Sequence, residues 1–337
     1  MTGPIIVQGP GAIGRLLATR LHRAGIAVEL LARSRAVNSP GQNELGRSPI
    51  TLHEREHVTY TADLPRRSSD EDPTARGSLL IVTTKAYDVA DALERGLAFV
   101  TEDAPVLVLS NGLGHDEVLE TLPGERPRLL GTIACGARCD GDHGVVALGE
   151  GPLEIGPSLC GDPSIAAEVA GILRRAGFDA RSTTDGRQAQ WLKAALNCGL
   201  NPVAALLGTP NGEVPASRYF PWAVEAARET ALVGRASGLD LPEDGWRERL
   251  RELCAATARN RCSMLQDLEA GRRLEIDHLN GWVARRARRL QVPTPRNRRL
   301  AKALAQEGTQ RLARFRHSLS TAGDERTERF GEPEPVL

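Results

Sequence analysis

A short apolar run, Ile5-Ile6-Val7-Gln8, breaks into Gly9-Pro10-Gly11-Ala12-Ile13-Gly14. The chain then takes helical spacing and returns to a second apolar run, Val28-Glu29-Leu30-Leu31-Ala32. Few architectures accept that order. Strand, glycine turn, helix and parallel strand form the unit on which a dinucleotide pyrophosphate rests. Gly9 permits the tight turn, Gly11 lets the backbone approach phosphate at the helix N-terminus, and Gly14 lets the helix pack on the strand. The glycine pattern alone would be weak, because glycine turns are common. The flanking strand and helix patterns carry it, and Pro10, Ala12 and Ile13 belong to the same cofactor-binding turn.

The second strand ends on Arg33, where an enzyme of this type for NAD usually carries Asp or Glu. An arginine fork suits the 2′-phosphate of NADP, with Ser34 and Arg35 beside it. A solvated arginine at a strand end is the plainer alternative. Position and charge together favour NADPH.

The first half repeats the βαβ rhythm, with strands expected at Leu79–Thr84, Val106–Ser110 and Leu129–Ala134. Val145–Leu148 and Leu153–Ile155 read as a hairpin or as edge strands. Arg66–Ser78 is polar and mixed in charge, and reads as a surface insertion. From about Asp185 the texture becomes helical, with helices expected over Arg187–Leu200, Pro221–Ser237, Glu243–Gln266 and Leu274–Leu290. The fold class is therefore α/β, a Rossmann-type dinucleotide-binding domain over 1–184 followed by an all-helical domain over 185–317. Residues 318–337 lack periodicity and read as a disordered tail.

The 43 basic and 43 acidic residues cancel, so no global field favours nucleic acid or an anionic membrane. The arginines at 285, 286, 288 and 289 then read as a solvated helix face. No apolar run could span a bilayer. The six cysteines are scattered without a CxxC pair, which points to a reducing cytoplasm rather than a disulfide scaffold or a metal site.

Lys85 and Asn111 fall at the carboxyl ends of expected parallel strands, where such sheets expose ligand sites. Lys85 could meet the 2′-phosphate and Asn111 the nicotinamide or its ribose. Taken alone, a solvated lysine and a turn-forming Asn-Gly are the plainer readings. Lys193, Asn197 and Asn201 recur at i, i+4 and i+8, on one face of a helix otherwise apolar over Trp191–Leu196. Polar groups so placed need partners, which a carbonyl and a hydroxyl of a substrate would provide, unless they form one solvent-facing stripe. Pro202 is expected to bend or end that helix. Asn260 and Ser263 lie one turn apart. Glu275 sits among apolar residues, where it could hold a lysine or a substrate hydroxyl or simply be exposed.

These pieces resemble the ketopantoate reductase family over nearly the whole chain to about Phe315. The resemblance is carried by GPGAIG at 9–14, Thr84-Lys85-Ala86 and Asn111-Gly112-Leu113-Gly114. It continues in Lys193…Asn197…Asn201-Pro202, Asn211-Gly212-Glu213, Ser263-Met264-Leu265-Gln266-Asp267 and Glu275-Ile276-Asp277 with Asn280-Gly281. It implies NADPH-dependent reduction of a 2-oxo acid, ketopantoate first, with the site in a cleft between the two domains. Lys193 would be the general acid and Glu275 the partner of a substrate hydroxyl. Asn197, Asn201 and Ser263 would bind substrate with Asn260 nearby. Asn111 would serve the nicotinamide side, and Arg33 and Lys85 the 2′-phosphate. No metal is needed, because the lysine acts as electrophile. Ser110 and Cys262 depart from the family pattern. Another 2-oxo acid or ketone in a specialised pathway, or a non-catalytic NADPH sensor, are the alternatives. The assembly is left open, with a homodimer among the arrangements.

Overall fold

The computed structural model describes residues 3–33, 47–54, 59–70, 76–158 and 161–305. Ser34, Arg35, residues 71–75 of the expected insertion and the 318–337 tail lie outside them. Contacts divide the chain into two units, Met1–Ala194 with Gly234–Leu241, and Ala195–Val233 with Pro242–Leu337.

The first unit is built on one sheet. The glycine-turn segment folds as β1 (Ile5–Gln8), α1 (Ala12–Arg23) and β2 (Val28–Ala32), with β1 parallel to β2. There follow β3 (Arg47–His53), β4 (Thr59–Ser68), β5 (Leu79–Val82), α2 (Val89–Gly96), β6 (Val106–Val108), α3 (His115–Glu120) and β7 (Arg128–Ile133). The unit continues with β8 (Gly136–Asp140), β9 (Gly144–Gly149), β10 (Leu153–Pro157), α4 (Pro163–Arg175) and β11 (Ala180–Ser182). The strand order is β11-β10-β7-β6-β5-β1-β2-β4-β3-β9-β8.

Strict alternation along the central strands makes the sheet doubly wound. Ile5, Val7, Leu79 and Ile81 face a core shared with Leu16, Leu17 and Leu21 of α1 and Val169 and Leu173 of α4. Ile6, Leu80 and Val82 face the opposite core with Val89 and Leu93 of α2 and Leu119 of α3.

The margins differ from the sequence reading. The pairs β3–β4, β8–β9 and β7–β10 are antiparallel. The strands β9 and β10 do not form a hairpin with each other, because β9 joins β3 and β8 while β10 joins β7 and β11. Nor does the polar segment from Arg66 begin a surface insertion. Arg66, Arg67 and Ser68 close β4 and pair in parallel with Leu30, Leu31 and Ala32. Their polarity hid a strand that alternates, with Ala62, Leu64, Arg66 and Ser68 buried and Thr61 and Asp63 exposed.

One long helix, α5 (Gly186–Leu207), crosses from the first unit to the second, and the division falls after Ala194 rather than at Asp185. Its first turns belong with the sheet unit because they hold Gly234–Leu241. Gln188 accepts from the Asp240 amide at 3.1 Å and donates to the Asp240 carbonyl, and a Cβ at Gly234 would press on the Trp191 ring at 2.8 Å.

The second unit is helical, with α6 (Phe220–Ala236), α7 (Trp246–Ala256), α8 (Ser263–Glu269), α9 (Asn280–Leu290) and α10 (Pro295–Leu304). Short 3₁₀ turns at Asn211–Ala216 and Glu275–His278 join them. Two expected long helices are each interrupted. Glu243–Gln266 contains a turn after Ala256, and Leu274–Leu290 breaks at Leu279, whose φ of −114° and ψ of −106° no helix permits.

Pro202 does not end α5. Proline removes the N–H that the Cys198 carbonyl would have received one turn back. The buried Asn280 Nδ2 donates to that carbonyl instead, at 2.9 Å, and the helix runs on to Leu207. Among the described residues no helix is long and apolar enough to cross a membrane.

Candidate active site

The glycine turn has the geometry its composition predicts. Gly9 takes φ +108°, and a Cβ there would lie 2.9 Å from Thr84 Cγ2. A Cβ at Gly14 would collide with the Gly9 carbonyl, so the α1 backbone can approach the turn only at glycine. Gly11 faces open space, and α1 begins there with no side-chain cap and no acidic residue in its first turn. That end suits an anion, because its amides and the helix dipole both favour negative charge.

Sequence reasoning missed two supports of the turn. Thr83 Oγ1 donates to the Gly9 carbonyl at 3.0 Å. Arg15, itself buried, donates to the Pro10 carbonyl at 2.8 Å and to the Gly141 and Gly144 carbonyls at 2.9 and 3.1 Å. A hydroxyl at the end of β5 was the available signal for the first. Nothing in spacing signals the second.

Arg33 stands at the end of β2, half exposed, with an unexpected partnership. Its Nη2 donates to Asp88 Oδ1 at 2.9 Å and to Asp91 Oδ2 at 2.6 Å, and its Nε reaches Asp91 at 3.2 Å. The hydrogen bond to Asp91, with Asp88 beside it, raises the arginine's pKa, and the same contact holds the Asp91 carboxyl below its usual range. Lys85 caps the 3₁₀ turn Ala86–Asp88 and is half-buried.

Asn111 and Lys193, distant in sequence, meet. Lys193 Nζ donates to Asn111 Oδ1 at 3.0 Å and to the Ile133 carbonyl, the last of β7, at 2.7 Å. Asn111 is itself held, its carbonyl accepting from His115 Nε2 at 2.8 Å. Gly112 and Gly114 take φ +95° and +87°, which gives the loop after β6 its sharp form. Ser110, the departure from the family pattern, has a clear role here. Its buried hydroxyl donates to the Thr84 carbonyl at 2.7 Å and ties this loop to the one bearing Lys85. An ammonium anchored at a parallel-strand terminus can polarise and protonate a carbonyl oxygen.

In the second unit, Asn197 is half-buried and Asn201 buried along α5. Ser263 opens α8 and is half-buried. The other departure, Cys262, caps that helix. Its sulfur accepts from the Leu265 amide at 3.4 Å and donates to the Asn201 carbonyl at 3.6 Å, linking α8 to α5. Burial pushes its thiol up to about 11, so it acts as a neutral donor. Glu275 is buried between Leu274 and Ile276. Nearby His278 is held below its usual pKa by burial, against the pull of Glu275. Asn260 is exposed, and its carbonyl accepts from the Asn211 amide at 2.9 Å. Among the described residues no three metal-binding side chains gather.

The fold and turn are those of a dinucleotide-binding domain followed by a helical part. Comparison with known proteins narrows this. Residues 5–159 match the model of ketopantoate reductase PanE/ApbA, and residues 185–307 match that of its C-terminal part. A 2-dehydropantoate 2-reductase of Shigella flexneri is 33% identical over 297 residues, covering 88% of this chain and 92% of that protein. One from Halobacterium salinarum is 33% identical over 302 residues, covering 88% and 96%.

Among solved structures, a 2-dehydropantoate 2-reductase from Geobacter metallireducens superposes with a TM-score of 0.81 at 27% identity, over 90% of this chain and 99% of that one. A D-mandelate dehydrogenase shares the fold, with a TM-score of 0.80 at 23% identity over 94% and 99%. The chain belongs to the ketopantoate reductase family and is an oxidoreductase acting on a ketone/CH–OH group.

Proposed function

We propose that this chain reduces 2-dehydropantoate to pantoate with NADPH. The observation that carries the reading is the anchoring of Lys193 Nζ on Asn111 and the Ile133 carbonyl, in the same unit as the glycine turn. The uncapped N-terminus of α1 at Gly11 fits a pyrophosphate, with Gly9, Pro10, Ala12, Ile13 and Gly14 forming the turn. Arg33 and Lys85 are assigned to the 2′-phosphate. The dinucleotide supplies the hydride.

Lys193 is assigned to stabilise the oxygen that becomes the alcohol and to give it a proton, with Asn111 fixing the ammonium. Ser263 is assigned to the substrate carboxylate, with Asn260 beside it. Glu275, Asn197 and Asn201 are assigned to the hydroxyl. In this reading residues 1–184 bind cofactor and 185–317 bind substrate. The buried free thiols Cys135, Cys198, Cys254 and Cys262 suit a reducing cytoplasm.

Purified protein, NADPH and a panel of 2-oxo acids test this by loss of reduced-nicotinamide absorbance. Fastest turnover with 2-dehydropantoate supports the reading, and turnover with none leaves an NADPH-binding sensor.

A further inference from the structure

We infer that Asp88 and Asp91 are specificity-determining residues that restrain the preference of this chain for a 2′-phosphorylated cofactor, an inference that rests on assigning Arg33 to that phosphate. The Arg33 guanidinium carries five N–H groups. Both hydrogens of Nη2 and the one on Nε point at carboxylates, to Asp88 at 2.9 Å and to Asp91 at 2.6 and 3.2 Å. Only Nη1 has no partner among the described residues. A guanidinium grips phosphate best with two parallel N–H groups. Here that fork is already engaged, so a 2′-phosphate meets Arg33 through one nitrogen or must displace a carboxylate.

Charge acts in the same direction. Two carboxylates bonded to the guanidinium lie within a few ångströms of any phosphate that touches it. At such spacing each carboxylate repels a dianion even in water, and salt screens the repulsion only in part.

The arrangement is fixed by the fold. Arg33 directly follows β2, Asp88 ends the 3₁₀ turn after Lys85, and Asp91 lies in the first turn of α2, where the helix dipole favours an anion. Arg95, one turn along α2, holds Asp91 from its other oxygen at 3.0 Å and also pairs with Asp70. Asp91 is thus braced from two sides, and Arg33 is aimed at it. A ribose with a free 2′-hydroxyl carries no charge to repel and can donate to a carboxylate, so NADH is not penalised by this pair.

Calorimetric binding of 2′,5′-ADP and 5′-AMP to the full chain tests the inference, with wild type, Asp88→Asn, Asp91→Asn and the double variant. Asparagine keeps one oxygen to accept from Arg33 and removes the charge; at position 91 it also gives up the bond from Arg95. The double variant should bind 2′,5′-ADP about tenfold tighter, with 5′-AMP changed less than about twofold. NADPH and NADH should follow the same pattern, and the gain should shrink as salt rises. Unchanged or weaker 2′,5′-ADP binding in the double variant, with 5′-AMP binding intact, would overturn it. A wild type that binds both nucleotides alike counts against the NADPH reading alone, because the inference is decided by the change in their ratio on removing the charges.

Discussion

Lys193 shows how much one side chain depends on its anchors. Its ammonium is directed by Asn111 Oδ1 and by the Ile133 carbonyl, so its position is set before substrate arrives. Preorganisation of this kind is what makes a proton donor effective. Lys193→Ala should therefore lower turnover by about 10²–10⁴-fold, while NADPH binding, assigned to the glycine turn, should change far less. Single-turnover kinetics beside equilibrium binding separate the two, and near-normal turnover would remove the proposed mechanism. Arg33 gives a second expectation. Because Asp88 and Asp91 engage most of its donors, Arg33→Ala should weaken NADPH binding by only about tenfold, ~1.4 kcal/mol, and leave NADH binding nearly unchanged. A NADPH/NADH binding ratio that stayed fixed in the variant would remove Arg33 from the phosphate site.

At the scale of elements, α5 is the instructive case. Pro202 deprives the Cys198 carbonyl of its helical partner, and Asn280 Nδ2 takes the vacant role at 2.9 Å. Asn280 also donates to Asn297 Oδ1 at 2.9 Å, and Asn297 Nδ2 donates to Glu229 Oε2 at 2.9 Å. Glu229 in turn accepts the amides of Arg296 and Asn297 at the start of α10. Asn280→Leu should strand buried acceptors and cost about 1–3 kcal/mol of stability. Pro202→Ala restores an N–H for Cys198, so the double variant should lose less than the two single losses combined. Strict additivity in urea unfolding would refute the link.

The same helix marks how far the sequence could be read. Its polar face and the glycine turn were legible, because period and residue type alone define them. The turn at Asn211, the cap at Cys262 and the bond from Asn280 depend on tertiary partners that no local pattern encodes. β4 was hidden for a related reason: a strand that buries Arg66 and Ser68 beside Ala62 and Leu64 does not announce itself by hydrophobicity. Asn111 and Lys193 could each be singled out, but their meeting could not, because the topology that joins β6 to α5 is long-range.

At the scale of the whole molecule, the proposed reaction draws on residues spread from Gly9 to Glu275, and their number bears on substrate choice. A bare 2-oxo acid has a ketone and a carboxylate, which Lys193 and Ser263 can serve. Glu275 and Asn201 are both buried, and both are assigned to a substrate hydroxyl. Sites built to hydrogen-bond a hydroxyl reject analogues that lack it, because their own groups are then stranded. So 2-oxoisovalerate, which keeps the branch and lacks the hydroxymethyl group, should react at least ~10²-fold less efficiently than 2-dehydropantoate. Glu275→Ala should narrow that gap, mainly by lowering kcat/KM for 2-dehydropantoate, since the analogue has nothing to lose there. Equal efficiencies in the wild type would remove the hydroxyl from the argument and favour a different 2-oxo acid or ketone as substrate. A gap that persisted unchanged in Glu275→Ala would keep the substrate and move the selecting contact to Asn197 or Asn201.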